Sequence, residues 1–378
     1  LELDGEAIDT PAGVAHFLEH KMFDMPDGDN ALSVLSANGA QPNAFTSSGM
    51  TAYFFDCTSG FEENLRMLLK FVSTPYFTQE TVDKEQGIIG QEICMVEDNP
   101  GYVVYNRLMR MLYEFNPIRD QVAGSIESIA EITAETETLY NCHKAFYAPS
   151  NMTLCVAGDC DPEEIFAIAD ELLPREKAEI PKADMGQPES EKPIRSYNEE
   201  QMEVSAPQYL IGAKVTPARD GDALLRQKIV AQLALRTVFG TSAKFYNRLY
   251  SEGVLNRDYD YEIDYTAGTA TIMLGGESPD PQRVLSEINA ELAEMFANGL
   301  DTELFEAAKR ASFGSRLRGL EDFDSLCLSL ADGVFGSYCA LDAFEVLGSV
   351  TKGECEDFLK AFMTPDRLAM SVISPVKA

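Results

Sequence analysis

The sequence contains no tryptophan, only three histidines, and about half as many basic as acidic side chains. Its 62 Asp and Glu residues against 30 Lys and Arg give a formal net charge of −32 at pH 7. A charge of this sign and size repels nucleic acid and anionic lipid at long range. No apolar run approaches the roughly 18 residues that a membrane-spanning helix needs. We therefore expect no nucleic-acid partner and no membrane segment.

The cysteines include no Cys-x-x-Cys pair. They are scattered, mostly within apolar segments, at Cys57, Cys94, Cys142, Cys155, Cys160, Cys327, Cys339 and Cys355. This pattern predicts buried thiols in a reducing compartment. Because the chain also shows no charged-then-apolar leader, we expect a cytoplasmic location.

The acidic excess has two interpretations. It could line a chamber that attracts basic peptides, or it could provide general solubility. The second interpretation is favoured, because net charge says little about where the charges lie.

The chain has enough apolar material for two folded domains. Hydrophobic residues make up 45% of the sequence. At 378 residues, the chain is longer than one hydrophobic core normally accommodates. Residues 174–200 are charged and contain proline without a sustained period. We therefore predict an N-terminal domain over 1–178, a linker over 179–205 and a C-terminal domain over 206–378.

Hydrophobic periodicity predicts both helices and strands in each half. In the first half it predicts a hairpin over 41–57, a buried strand over 151–158, and helices near 13–23, 31–37, 61–73, 78–96, 102–114, 125–130, 134–147 and 162–173. In the second half it predicts strands over 209–215, 259–265, 269–274 and 368–373, and helices near 222–239, 242–252, 280–298 and 301–320.

One internal similarity indicates duplication. Residues 144–149 read Lys-Ala-Phe-Tyr-Ala-Pro, and residues 360–365 read Lys-Ala-Phe-Met-Thr-Pro, at a constant offset of 216 residues. The order of predicted elements before each copy also agrees. The two halves should therefore share a fold, although only the first half contains histidine.

The stretch from Gly13 to Phe23 contains the motif His16-Phe17-Leu18-Glu19-His20. On a helix, positions i, i+3 and i+4 share a face, so His16, Glu19 and His20 project together. Two imidazoles one turn apart can bind one Zn²⁺, and the carboxylate beside them can accept a proton. The order His-x-x-Glu-His inverts the commoner zinc-protease motif and defines the inverzincins. A chance pairing of surface histidines is the weaker interpretation.

A catalytic zinc site usually needs a third protein ligand. The leading candidate is Glu92 on the long predicted helix, where Glu85 lies seven residues, or about two turns, earlier on the same face. From the residues alone, a solvent-exposed helix face is the favoured interpretation of Glu92. His143, outside the motif, is better explained as a structural histidine than as a ligand.

Three stretches taken together resemble a known family. They are Gly13–His20, Asn43-Ala44-Phe45-Thr46 and Glu85–Glu92, which in order and approximate spacing are similar to the insulinase or pitrilysin (M16) family of zinc peptidases. In that family, which includes the mitochondrial processing peptidase, the second glutamate of a Glu-x6-Glu pair is the third zinc ligand. Glu92 lies 72 residues after His20. The resemblance thus implies one Zn²⁺ per chain, held by His16, His20 and Glu92, with Glu85 supporting a ligand.

The resemblance also implies a fold and a mechanism. The fold would be α+β, with two similar domains of the processing-peptidase and LuxS-like metallohydrolase type, each an antiparallel sheet covered by helices on one face. Glu19 would act as general base on zinc-activated water during cleavage of an unfolded peptide. Residues Asn43, Ala44, Phe45 and Thr46 would form an edge strand that pairs with the peptide. For Asn43, a simple turn role after Pro42 is an equal alternative.

The sequence departs from the family at one pair of residues. Active members carry an Arg and, seven residues later, a Tyr in the C-terminal half. Here the seventh residue after Arg248 is Leu255, and the seventh after Arg257 is Asp264. The chain therefore resembles the bacterial processing-peptidase-like branch in which a zinc-bearing subunit works beside a homologous subunit, and we expect such a partner or a homodimer.

Two other functions stay open. One is a non-catalytic or assembly subunit of a processing-peptidase-like heterodimer, although such proteins typically lose a ligand or the base. The other is a zinc hydrolase that acts on a small molecule, and the predicted hairpin edge and two-lobed layout favour a peptide instead.

Overall fold

The structure is a computed structural model that describes residues 2–3, 6–8, 10–133, 137–175, 185–219 and 221–376. The chain divides into two compact units. The first unit comprises Leu1–Asp98, Asp120–Leu154 and Gly158–Gly186. The second comprises Asn99–Arg119, Cys155–Ala157 and Gln187–Ala378.

The helices and strands are numbered in chain order. The helices are α1 Val14–Met22, α2 Ala31–Ala37, α3 Phe61–Val72, α4 Gln79–Glu97, α5 Pro100–Leu112, α6 Ile126–Ala130, α7 Thr138–Phe146, α8 Pro162–Leu172, α9 Asp222–Phe239, α10 Lys244–Ser251, α11 Pro281–Asn298, α12 Thr302–Gly319, α13 Phe323–Phe335, α14 Ala343–Ser349 and α15 Lys352–Phe362. The strands are β1 Glu2–Leu3, β2 Glu6–Ala7, β3 Gln41–Thr46, β4 Thr51–Asp56, β5 Tyr197–Met202, β6 Gln208–Val215, β7 Asp260–Thr266, β8 Thr269–Glu277 and β9 Ala369–Pro375.

The first unit is built from helices around one hairpin. Strands β3 and β4 pair antiparallel from Gln41 opposite Asp56 to Thr46 opposite Thr51. Buried apolar residues from α1, α3, α4 and α7 form a single core, among them Phe17, Phe71, Ile89, Ile93 and Leu139. Burial of these side chains is the main stabilising contribution in this unit.

The second unit contains a five-stranded sheet in the order β5-β9-β6-β8-β7. Alternate residues of a strand face opposite sides of a sheet. Ile272 and Leu274 of β8 join a core formed with α9, α11 and α15, whereas Met273 packs with Leu108 and Leu112 of α5. The sheet is therefore covered by helices on both faces, not on the one face that the resemblance implied.

The α+β class with two domains is confirmed, and the sheet of the second unit departs from the expected antiparallel arrangement at one edge. In the second unit, edge strand β5 runs parallel to β9, and the other pairings are antiparallel. In the first unit, the described strands form only the two-stranded sheets β1–β2 and β3–β4.

The strand predicted over 151–158 does not form. The residues that follow the short 3-10 helix Pro149–Asn151 are irregular, and Met152 and Leu154 are exposed. A strand needs a neighbour for its backbone hydrogen bonds, and among the described residues none pairs with this stretch. The matching segment of the second half finds β5 and β6 as neighbours and becomes β9.

The stretch predicted as a linker is partly structured. Residues 179–184 lie outside the described residues, and Tyr197–Met202 within the same stretch forms strand β5. Its residues are alternately exposed and half-buried. This pattern and its polar composition suit a strand at the edge of a sheet. Helix α5, which precedes the predicted linker, groups with the second unit.

Two further sequence expectations concern the thiols and the apolar segments. All eight cysteines are free, and Cys142 and Cys355 are buried whereas Cys94 and Cys339 are exposed. In the described part of the chain, no single helix is both long enough and apolar enough to span a bilayer. One pair of segments, α13 and residues 340–349, meets both criteria together but is bent by 105°.

Candidate metal centre

Helix α1 presents the motif residues from a well-packed base. Phe17, Leu18 and Met22 are buried in the core of the first unit. Glu19 is also buried, at 7% exposure, while His16 and His20 are partly exposed. The apolar side chains fix the rotation of the helix, so that the two histidines face α4.

Two glycines set the start of α1. Gly13 has φ +91° and Gly124, which precedes α6, has φ +77°. A Cβ atom on Gly13 would lie 2.5 Å from the Ala123 carbonyl oxygen, and one on Gly124 would lie 2.3 Å from the Ala12 carbonyl oxygen. Only glycine permits this approach of the two backbones, which places the first turn of the metal-site helix.

His16, His20 and Glu92 lie together in the structure, as the family resemblance implies. His16 Nε2 lies 3.5 Å from Glu92 Oε1, and His20 Nε2 lies 3.7 Å from Glu92 Oε2. One ligand atom from each of the three residues lies within 4.8 Å of the others. Tetrahedral ligands about 2.0–2.1 Å from one zinc ion would lie roughly 3.4 Å apart. The donor set and its spacing therefore fit Zn²⁺.

Glu85 holds one of the histidine rings. Its Oε1 lies 2.9 Å from His20 Nδ1 and accepts a hydrogen bond from that nitrogen. This contact raises the pKa of His20. Burial acts against the ionised form of Glu85, but the hydrogen bond and charge of His20 outweigh it and lower the pKa of that carboxyl. A proton fixed on Nδ1 leaves Nε2 free as a metal ligand.

His16 has a different environment. Burial lowers the pKa of its imidazole, which favours the neutral form that binds metals. Its Nδ1 is buried and has no hydrogen-bond partner among the described residues. The two histidines therefore differ at Nδ1, which Glu85 holds in His20 and which no described residue holds in His16.

Glu19 lies beside this cluster without being part of it. Thr46 Oγ1 donates a 2.7 Å hydrogen bond to Glu19 Oε2, and the Thr46 and Thr51 hydroxyl oxygens lie 3.2 Å apart. The end of the β3–β4 hairpin thus orients the predicted base. This role of Thr46 was missed in the sequence, where it was assigned only to substrate binding.

The other predicted substrate-binding residues lie on β3 as expected. Asn43 Oδ1 accepts a hydrogen bond from the Ala44 backbone N–H, and the Phe45 ring packs edge-on against Phe54. Their partners in the described residues are local. The structure therefore places them on a strand that ends beside Glu19, and their contact with substrate stays a prediction.

His143 is a structural histidine in the described structure. It is buried, its Nε2 donates to the Val72 carbonyl oxygen at 2.9 Å, and its ring stacks on Tyr147. The only described group that could hold a metal consists of His16, His20 and Glu92. The prediction that His143 is not a ligand thus agrees with its position.

In the stretch where the family carries its Arg and Tyr, the residues of this chain make other contacts. Arg248 on α10 pairs with Glu287 at 2.8 Å, and Leu255 is buried in the core of the second unit. Asp264 lies on β7, where its carboxylate accepts a hydrogen bond from Thr266. None of these positions offers the missing pair.

Comparison with protein families places this site in context. Residues 5–125 match the model of the insulinase peptidase family M16, and residues 133–312 match the model described as the M16 inactive domain. The zinc protease YmfH of Bacillus subtilis is 34% identical over 375 residues, which cover 98% of this chain and 86% of the relative. The zinc protease SCO5738 of Streptomyces coelicolor is 25% identical over a match that covers 99% of this chain and 83% of that relative.

Solved structures share the fold. An M16-like peptidase from Alicyclobacillus acidocaldarius has a TM-score of 0.93 at 31% identity, covering 99% of this chain and 89% of that one. A protease from Helicobacter pylori has a TM-score of 0.86 at 16% identity, covering 98% and 91%. YmfH is 34% identical to this chain over 98% of the chain's length. The chain therefore belongs to the insulinase (M16) family of peptidases, and the relatives named above are zinc proteases.

Proposed function

We propose that this chain is an inverzincin endopeptidase that binds one Zn²⁺ and cleaves unfolded peptides or oligopeptides beside a homologous subunit. The observation that carries the proposal is the convergence of His16, His20 and Glu92 next to a buried Glu19. Zinc held there would supply Lewis acidity to water and to the scissile carbonyl.

The chain's own residues account for the proton transfers. Oε2 of Glu19 accepts the hydrogen bond from Thr46, which leaves Oε1 to take a proton from the attacking water. After the water oxygen bonds to the carbonyl carbon, Glu19 gives that proton to the leaving amine as the C–N bond breaks. Thr46 keeps the carboxylate in one orientation throughout. Glu85 keeps the His20 ring in one tautomer.

The substrate would bind as an extended strand. In the described structure β3 pairs with no strand other than β4, so its other edge would offer backbone groups to a peptide. These groups can form main-chain hydrogen bonds with a peptide of many sequences. Since Thr46 at the end of β3 contacts Glu19, a peptide added along β3 would pass the proposed base.

A partner subunit would complete the carbonyl-binding groups. Arg248 is neutralised by Glu287, and no tyrosine stands seven residues after it. A homologous chain that carries Arg-x6-Tyr would supply these groups.

A quenched-fluorescence peptide assay tests the proposal. We expect little cleavage by the purified chain alone, cleavage when a homologous Arg-x6-Tyr subunit from the same genome is added, and its loss on treatment with a zinc chelator. Strong cleavage by the single chain would contradict the need for a partner. Cleavage that survives complete zinc removal would contradict the zinc mechanism itself.

A further inference from the structure

A second site lies in the second unit, in a cavity of about 380 Å³ lined by α9, α12 and β7. Its apolar wall includes Ile229, Leu233 and Ile263, and its polar groups come from both helices. This volume is in the lower part of the range of about 300–1,000 Å³ that ligand sites occupy.

Two arginines enter this cavity in a reciprocal arrangement. Arg236 of α9 donates to Ser312 Oγ of α12 at 3.3 Å, and Arg316 of α12 donates to Gln232 Oε1 of α9 at 2.5 Å. Each guanidinium therefore has one neutral acceptor on the opposite helix. A guanidinium has five N–H donors, so both retain donors for a ligand.

Neither arginine has a carboxylate partner among the described residues. Several neighbouring basic residues of this unit do have one, as in the pairs Arg226–Glu354, Lys228–Asp332, Arg248–Glu287 and Arg283–Glu252. What sets these two arginines apart is that both line the same cavity. Burial lowers the pKa of Arg316, and the group that opposes this shift is Tyr338. Partly buried charge without a counter-charge is costly, and a bound anion would remove that cost.

The lining selects the kind of anion. Planar guanidinium groups match the two oxygens of a carboxylate, and the apolar wall suits a hydrocarbon group attached to it. Glu262 also lines the cavity, outside ion-pair distance of both arginines, and would repel a doubly charged phosphate more than a carboxylate. We propose that this cavity is a second ligand site that binds a carboxylate borne on an apolar group, with Arg236 and Arg316 holding the carboxylate.

Calorimetric titration of the whole chain tests this site. The protein would carry Glu19→Gln and be freed of metal, so that neither cleavage nor the metal centre contributes. The probes are N-acetyl-leucyl-phenylalanine, its C-terminal amide and 4-phenylbutyrate. We expect the acid peptide to bind at least about tenfold more tightly than the amide, because the amide lacks the charge that the arginines hold. Equal binding of 4-phenylbutyrate would identify a small free acid as the ligand, and its weaker binding would identify a peptide end.

Variants locate the binding. Arg236→Gln and Arg316→Gln should each weaken the acid peptide by about tenfold or more, whereas Arg318→Gln should leave it unchanged. Arg318 lies on the same helix but outside the lining, where it contacts Ser315. If a variant fails to fold in thermal unfolding, the acid–amide comparison on the unaltered cavity still decides. Equal affinity for acid and amide, or no binding of either, would overturn the proposal and leave the peptidase proposal untouched.

Discussion

Glu85 orients His20 through its Nδ1, while no described residue does the same for His16. Replacing Glu85 should therefore loosen one of the two imidazole ligands. We expect Glu85→Ala to lower zinc affinity by about 10–100-fold, since partners of metal-bound histidines contribute this much. Zinc competition with a chromogenic chelator measures it. Glu97→Ala, an exposed change at the end of the same helix, should have no effect, and an equal loss in both variants would refute the role of Glu85.

Thr46 is a positioning residue for Glu19. Thr46→Val removes the 2.7 Å hydrogen bond while keeping the size of the side chain. We expect kcat for a quenched peptide, measured with the partner subunit, to fall by about tenfold with KM nearly constant, because one oriented hydrogen bond is lost. Thr46→Ser keeps the hydroxyl and should recover most of the rate. Failure of serine to do so would mean that the methyl packing, not the hydrogen bond, is what matters.

At the scale of elements, the position of α1 depends on a backbone contact. Gly124→Ala would drive a Cβ atom into the Ala12 carbonyl oxygen and displace the turn before α1. We expect a loss of more than about 3 kcal/mol in the free energy of unfolding, together with reduced zinc binding. Gly39 has a similar φ of +83°, but a Cβ atom added there would have nothing within 4 Å.

Gly39→Ala is thus a matched control that tests backbone strain alone, and we expect a cost of about 1 kcal/mol with zinc binding intact. Both variants are compared by chemical denaturation. Equal destabilisation would show that the close approach of the two turns contributes nothing.

His143 joins two helices of the first unit through its bond to Val72. Burial lowers the pKa of His143. The folded state therefore binds this proton less readily than the unfolded state, so its stability is complete above the unfolded pKa of about 6.5 and falls as the pH drops below that value. His143→Leu removes both the hydrogen bond and this titration.

We expect His143→Leu to cost about 1–3 kcal/mol at pH 7.5, with zinc binding unchanged. The difference from the wild type should shrink by pH 5.5, where the wild type has lost stability. Denaturant titrations at the two pH values measure this. A difference that is the same at both pH values would contradict the assignment of a buried neutral imidazole.

At the scale of the whole molecule, local patterns predicted most helices and strands. Helix α2 has the predicted bounds, and the hairpin of β3 and β4 falls within the predicted 41–57. Periodicity succeeds there because each element buries its own apolar face. The same reasoning failed at 151–158, where strand formation depends on a distant partner.

Local spacing in the sequence predicted some residues of the metal site but not all of them. His16, Glu19 and His20 follow from helix geometry, whereas Glu92 on α4 needed the family resemblance, because a distant carboxylate has no local signal. The Thr46–Glu19 hydrogen bond joins residues 27 apart and had no sequence signal either. The arginine cavity likewise depends on the packing of α9 against α12, which are far apart in the chain.

The central claim is that Glu19 performs chemistry at a zinc centre held by other residues. The most direct test is the rate of peptide cleavage by Glu19→Gln relative to wild type, at matched zinc content and with the partner subunit present. The account predicts that the variant keeps about one zinc per chain and loses at least about 100-fold in kcat, the range expected for a missing general base. Cleavage at an undiminished rate by the zinc-loaded variant would contradict it.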